Sequence, residues 1–147
     1  MAPLQKRAWW GLVLGLAFGL AFIIVFFSMG GIEQFDEDRN FRIIIDILAI
    51  AALVVNLFTL NISLRRPGMV DERDLKIIGW APRVQWLAVI FTLAAWTIGL
   101  TVYYDTTGQV PSAFLFIIML SVLVISTLAQ SLGIIIGYWR MDRYGQD

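Results

Sequence analysis

The segment 8–29 reads AWWGLVLGLAFGLAFIIVFFSM and contains no charged residue. A helix needs about 20 apolar residues to cross a hydrocarbon core of roughly 30 Å, so this segment is long enough to span a bilayer. Three further apolar runs of comparable length follow, at 41–64, 84–104 and 111–139. The sequence therefore predicts an all-α integral membrane protein, a single domain with four transmembrane helices.

The basic residues are distributed unevenly between the two ends of the predicted spans. One end carries Lys6, Arg7, Arg65, Arg66, Arg73, Lys76, Arg83, Arg140 and Arg143. The other end has the acidic connection 33–38 with Arg39 and Arg42. Because cytoplasmic loops carry an excess of Lys and Arg, we expect the loop 65–83 and both chain termini to be cytoplasmic. This topology predicts an antiparallel bundle in the cytoplasmic (inner) membrane of a prokaryote.

The composition argues against several classes of membrane protein. The 147 residues include neither cysteine nor histidine, which removes thiol redox chemistry, imidazole catalysis and the common axial ligands of haem. The sequence has no nucleophile–base pair, phosphate-binding loop or metal-ligand motif, so we expect no catalytic residue, cofactor or metal site. It also has no large basic patch, so nucleic acid is not an expected partner.

Small and polar residues recur at intervals of three and four in every predicted span, which places them on one helix face. In lipid, apolar burial cannot drive helices together, so close backbone approach and interhelical hydrogen bonds must do so. These stripes predict helix packing within a bundle. The predicted packing residues are Gly11, Gly15, Gly19, Ala52, Asn56, Thr92, Gly99, Gln130, Gly133 and Gly137.

Two amides are predicted at similar depth in the membrane. Asn56 precedes Arg65, and Gln130 precedes Arg140, by nearly equal distances, which places both amides roughly 14 Å from the inner boundary. They could hydrogen-bond to each other and hold two helices together, or form a polar niche for a ligand, a lipid headgroup or an ion. The structural role is favoured, because neither amide can carry a proton or a charge.

Asp46 is the only carboxylate within a predicted span. An acid inside the membrane is a functional candidate by default. Asp46, however, lies one helical turn from Arg42 and close to the outer boundary, where an ion pair and water are both available. We expect pairing with Arg42; ion or proton coupling and contact with a partner subunit are the alternatives.

The predicted cytoplasmic loop begins with Arg-Arg-Pro-Gly at 65–68 and continues with four charged residues at 71–74. Asp71 can cap a short helix whose apolar residues would lie on the membrane surface before Pro82 interrupts the chain. The carboxylates here lack the spacing of a known metal-binding loop. The candidate residues for a partner or polar site are Asp46, Asp71, Glu72 and Asp74.

The element Asp71-Glu72-Arg73-Asp74, followed by an apolar span and a second span ending in Tyr138-Trp139-Arg140, resembles a family. It is similar to small predicted integral membrane proteins of bacteria and archaea that carry an Asp-Glu-Arg signature before a two-span hairpin. The resemblance covers residues 70–143, and this chain departs from the pattern by inserting Trp80-Ala81-Pro82. Those proteins have no assigned activity, so the resemblance implies topology alone.

Together these features favour a non-enzymatic accessory or scaffold subunit of a larger membrane protein complex. Its expected partners are membrane lipid and either other membrane protein subunits or further copies of itself. One alternative is a small oligomeric transporter or channel protomer with a polar path through Asp46, Asn56 and Gln130. A second alternative is a membrane sensor or regulator that acts through the cytoplasmic loop.

Overall fold

The structure is a computed structural model that describes residues 2–64, 72–106 and 108–144. Within these residues it is helical, with no strand. The helices are α1 (Pro3–Ser28), α2 (Gly31–Phe35), α3 (Arg39–Leu64), α4 (Glu72–Tyr104) and α5 (Ala113–Tyr144). All but α2 are long and apolar enough to cross a membrane. The prediction of an all-α chain with four membrane-length helices is thus confirmed, which indicates a multi-pass membrane protein.

Helix α5 lies at the centre of the molecule and contacts α1, α3 and α4. Along α1, Gly11 faces Ser131 and Gly19 faces Val124, so α1 and α5 run in opposite directions. We call the end of the molecule where α1 begins the inner end and the opposite end the outer end. Two apolar clusters, one at each end, hold the helices against α5.

The outer cluster centres on Phe35, a fully buried side chain at the end of α2. Its ring lies 5.5 Å from that of Phe41 and 5.3 Å from that of Phe116, so it joins α3 to α5. Gly30 and Gly31 have φ values of 96° and 69°, which glycine adopts without steric cost, and they turn the chain from α1 into α2. The segment predicted as an acidic loop therefore also supplies an aromatic core residue.

The inner cluster joins the beginnings of α1 and α4 to the end of α5. Its buried members are Leu4, Ala8, Ile77, Ala81, Ile134 and Tyr138. Helix α4 begins at Glu72 and continues through Pro82. The sequence predicted a short surface helix within the loop 65–83 and an interruption at the proline, so the interruption is wrong. An internal proline costs one hydrogen bond and crowds the carbonyl four residues earlier, but tight packing of Ala81 and Ile77 on α5 offsets that loss. Residues 65–71 of the predicted loop lie outside the described residues.

Candidate functional site

Buried polar side chains form a layer on α5 between the two apolar clusters. The Asn56 amide nitrogen of α3 donates to Thr127 Oγ1 at 2.7 Å and, more weakly, to the Leu123 carbonyl at 3.4 Å. Thr127 in turn donates to the Leu123 carbonyl at 2.9 Å. Since an unsatisfied polar group is costly in lipid, these bonds fix α3 on α5.

Gln130 does not bond to Asn56, although the sequence placed the two amides at one depth. Asn56 lies level with Leu123 and Thr127, which precede Gln130 on α5 by about two turns and one turn, so Asn56 is further from the inner end than Gln130. Gln130 instead lines a groove between α4 and α5.

The glycine face of α1 packs directly against α5. A Cβ atom added to Gly11 would lie 2.5 Å from Ser131 Oγ, and one added to Gly15 would lie 2.9 Å from Leu128 Cδ2. At Gly19 the corresponding distance to Val124 is 3.2 Å. Real Cβ atoms essentially never approach closer than 3.0 Å. The first predicted stripe therefore packs within the chain.

The glycines of α5 pack in the same way against α4. A Cβ atom at Gly133 would lie 3.3 Å from the Ala81 Cα, and one at Gly137 would lie 3.1 Å from the Ile77 side chain. Ala52 of α3 is buried in the outer cluster. The stripes on three of the four long helices thus meet neighbours inside this chain.

The stripe on α4 is different, because its outer half lies open. Nothing lies within 4 Å of a Cβ atom added to Gly99. The Thr92 hydroxyl donates to the Ala88 carbonyl of its own helix at 2.7 Å. Both residues line a groove of about 740 Å³, here called the outer groove. Its other lining residues include Ala95, Trp96, Tyr103, Tyr104 and Phe114.

Trp96 forms one wall of the outer groove. Its indole nitrogen donates to Ser121 Oγ at 2.9 Å, and its ring lies 6.1 Å from that of Phe114. Both contacts are with α5, so the indole is fixed in place beside Gly99. Trp96 had no predicted role. Its position midway along the predicted span was the available signal, because interfacial tryptophans lie near the ends.

A second groove, here called the inner groove, lies between α4 and α5 nearer the inner end. It measures about 510 Å³ and is lined mainly by apolar side chains. Gln85 donates to Ser126 Oγ at 2.7 Å within it. Gln130 lines it too, half-buried, and its side chain makes no hydrogen bond to any part of the chain that the structure describes.

Asp46 is exposed on α3 among exposed isoleucines, Ile43 and Ile47 among them. The predicted ion pair with Arg42 is not formed. Arg42 instead donates to the backbone carbonyl of Asp36 at 2.8 Å. The Arg42 guanidinium points toward the connection before α3, where this carbonyl accepts its hydrogen bond. The Asp46 carboxylate is therefore left exposed on α3.

Charged residues at the inner end join α4 to α5. The Tyr138 hydroxyl donates to Asp74, which is buried. Arg73 donates to the Tyr138 carbonyl at 3.0 Å and pairs with Asp142, and its guanidinium lies 5.2 Å from the Tyr138 ring centre. The two parts of the motif that suggested a family are therefore in contact. Asp74, a predicted partner residue, is used inside the chain, while Glu72 is exposed and Asp71 lies outside the described residues.

The chemistry that these surfaces offer is hydrogen bonding and apolar packing. The grooves present amide, hydroxyl and indole groups. Within 2–64, 72–106 and 108–144, no group of three or more acidic side chains could hold a metal ion. Comparisons with family models, curated proteins and solved structures gave no match. The two grooves along α4, one of which includes the open face at Gly99, are therefore the candidate functional surfaces.

Proposed function

We propose that this chain is a non-enzymatic accessory or scaffold subunit of a larger membrane protein complex. The observation that supports this is the open small-residue face at Gly99 in the outer groove. Small residues in membrane helices allow the backbone of another helix to approach closely, and the glycines of α1 and α5 do so inside this chain. The face of α4 has the same character with no helix on it, which fits a transmembrane helix of another subunit.

The proposal includes an orientation. The chain would form an antiparallel bundle in the cytoplasmic membrane of a prokaryote, with both termini inside and lipid around the exposed apolar faces. The basic residues of the inner end support this topology. So do the exposed aromatic side chains, with Trp9, Trp10 and Trp139 near the inner end and Tyr103 near the outer end, as expected for interfacial anchors.

The two alternatives have less support. A transport path would need Asp46, Asn56 and Gln130 to share a water-accessible cavity. Asp46 is exposed on α3, Asn56 is buried against Thr127, and Gln130 lines the inner groove. A regulator acting through the cytoplasmic loop would need free carboxylates there, and Asp74 already accepts from Tyr138.

The test is a mild-detergent pull-down of tagged protein, with co-purifying subunits identified by mass spectrometry. We expect Gly99→Leu to lose partners that the unchanged chain retains, because the larger side chain holds backbones apart. Gly79→Leu is the matched control, since it lies on the same helix, also has nothing within 4 Å, and lines neither groove. Equal partner recovery from both variants, or no membrane partner at all, would refute the proposal.

A further inference from the structure

The face of α4 that points away from α5 carries two basic side chains. Lys76 and Arg83 are both exposed and lie two turns apart, about 10 Å along the axis, on the side opposite Ala81, which packs on α5. Neither forms a hydrogen bond or an ion pair with any residue in the ranges that the structure describes. The carboxylate on this face belongs to Glu72, one turn from Lys76 and three turns from Arg83. The charge of Arg83 is therefore unopposed along this face.

Arg83 also lies deeper in the membrane than the tryptophans of α1. Ser131 of α5 contacts Gly11 of α1, and the contacts of α5 with α4 place Arg83 at the same level. Trp9 and Trp10 precede Gly11 and so lie nearer the inner end, at the boundary that interfacial tryptophans mark. An arginine that faces lipid inside this boundary extends toward the headgroups, where phosphate oxygens and water accept its hydrogen bonds. The other basic side chain of this face lies in that same direction.

A notch separates the two basic side chains. Gly79 is exposed, and nothing lies within 4 Å of a Cβ atom added to it. It follows Lys76 by three residues and precedes Arg83 by four, the spacings at which side chains on one helix face meet. An anion above Gly79 would therefore be within reach of both cations.

Apolar surface continues from the notch toward the centre of the membrane. Trp86 and Ile90 lie on the same face, about one and two turns beyond Arg83, and are 68% and 55% exposed. A charged notch at headgroup depth with an apolar strip below it matches a molecule that has an anionic head and hydrocarbon chains. A soluble anion or an acidic peptide would leave the apolar strip unused.

We propose that Lys76, Gly79 and Arg83 form the headgroup site of an anionic phospholipid. Its phosphodiester lies over Gly79, between the ammonium and the guanidinium, and its acyl chains lie along Trp86 and Ile90. Both cations donate charge-assisted hydrogen bonds to phosphate oxygens, and anionic headgroups attract basic residues at the membrane surface. The inference does not rest on the proposed subunit role, because none of these residues lines the outer groove.

The first test measures lipid binding to the full chain in mild detergent by native mass spectrometry. The probe is phosphatidylglycerol, and phosphatidylcholine with the same acyl chains is the matched lipid without net charge. We expect the unchanged chain to prefer phosphatidylglycerol, and Lys76→Gln and Arg83→Gln each to raise the dissociation constant of the first bound phosphatidylglycerol about fivefold. Lys6→Gln is the control, because it removes the same charge from an exposed position near the inner end of α1 and should leave that constant unchanged.

The second test separates a site from a diffuse attraction between charges. Gly79→Leu keeps both cations and fills the notch, so we expect it to weaken phosphatidylglycerol binding as much as the loss of one cation does. The control is Ala17→Leu, which adds a side chain of the same size on the exposed side of α1.

Three outcomes would overturn the inference. One is equal affinity of the unchanged chain for the two lipids. Another is an effect of Lys6→Gln as large as those of Lys76→Gln and Arg83→Gln, which would mean that every basic residue of the inner end contributes alike. The last is unchanged binding of phosphatidylglycerol by Gly79→Leu, which would mean that no headgroup lies over this glycine.

Discussion

At the residue scale, two buried hydrogen bonds join neighbouring helices to α5. Asn56 joins α3 to α5 through Thr127, and Tyr138 joins α5 to α4 through Asp74. Their chemistry differs, because the first pair is neutral and the second includes a carboxylate. A hydrogen bond to a charged group is stronger than one between neutral groups, and its loss leaves a buried charged group without a donor. Removing the donor should therefore lower the free energy of unfolding more for the Tyr138–Asp74 bond than for the Asn56–Thr127 bond.

We expect Asn56→Leu to lower the free energy of unfolding by about 1 kcal/mol, the usual range for an interhelical bond in a membrane. The loss is small because Thr127 still donates to the Leu123 carbonyl in the variant. Reversible unfolding in mixed micelles measures the change. Thr97→Val is the control, since the Thr97 hydroxyl bonds only within its own helix. A loss several times larger would mean that Asn56 does more than join two helices.

We expect Tyr138→Phe to cost more, roughly 1–3 kcal/mol, because Asp74 stays buried without the hydroxyl that donates to it. Unfolding in mixed micelles again provides the measurement. Tyr103→Phe should have no effect, because Tyr103 is 77% exposed. If both variants unfold alike, the Tyr138 hydroxyl contributes nothing to the joint between α4 and α5.

At the element scale, the helices differ in how their glycines are used. Those of α1 and α5 are close to the limit of steric tolerance, whereas Gly99 of α4 has open space around it. Glycine in a helix costs about 1 kcal/mol relative to alanine, a cost that a close helix contact can offset. For Gly11 or Gly133 that contact is inside the chain, and for Gly99 we look for it in a partner.

We expect Gly15→Leu to destabilise the chain by about 1–3 kcal/mol, as overpacking of a filled interface does. Gly15→Ala should cost less, because the nearest atom is the end of the flexible Leu128 side chain. Thermal unfolding in detergent, followed by circular dichroism, distinguishes the two. Ala17→Leu on the exposed side of α1 is the control. Wild-type stability in Gly15→Leu would show that α1 and α5 do not pack through this face.

Sequence periodicity was informative about faces and uninformative about partners. The spacing of Gly11, Gly15 and Gly19 predicts a packing face, but only the structure places α5 on it. Phe35 was missed because charged neighbours on both sides give its segment the composition of a loop. The continuation through Pro82 was missed because local propensity argues for a break there, and contacts distant in sequence outweigh it.

At the scale of the whole molecule, the arrangement is asymmetric around α5. Helix α4 packs on α5 and leaves two grooves along its length. The outer groove, with Gly99, lies toward the outer end, and the inner groove, with Gln130, lies toward the inner end. The subunit proposal concerns the outer groove alone. Gly99→Leu tests it without changing the inner groove, which Gly99 does not line.

The central position of α5 also affects how the chain is made. A ribosome completes α1, α3 and α4 before α5 exists, and yet α5 supplies the surface on which each of them packs. During synthesis the glycine face of α1 and the Asn56 amide are therefore in the membrane before the α5 residues that contact them have been made. A chain released before residue 113 would expose every one of these surfaces at once, which makes it a natural substrate for membrane quality control.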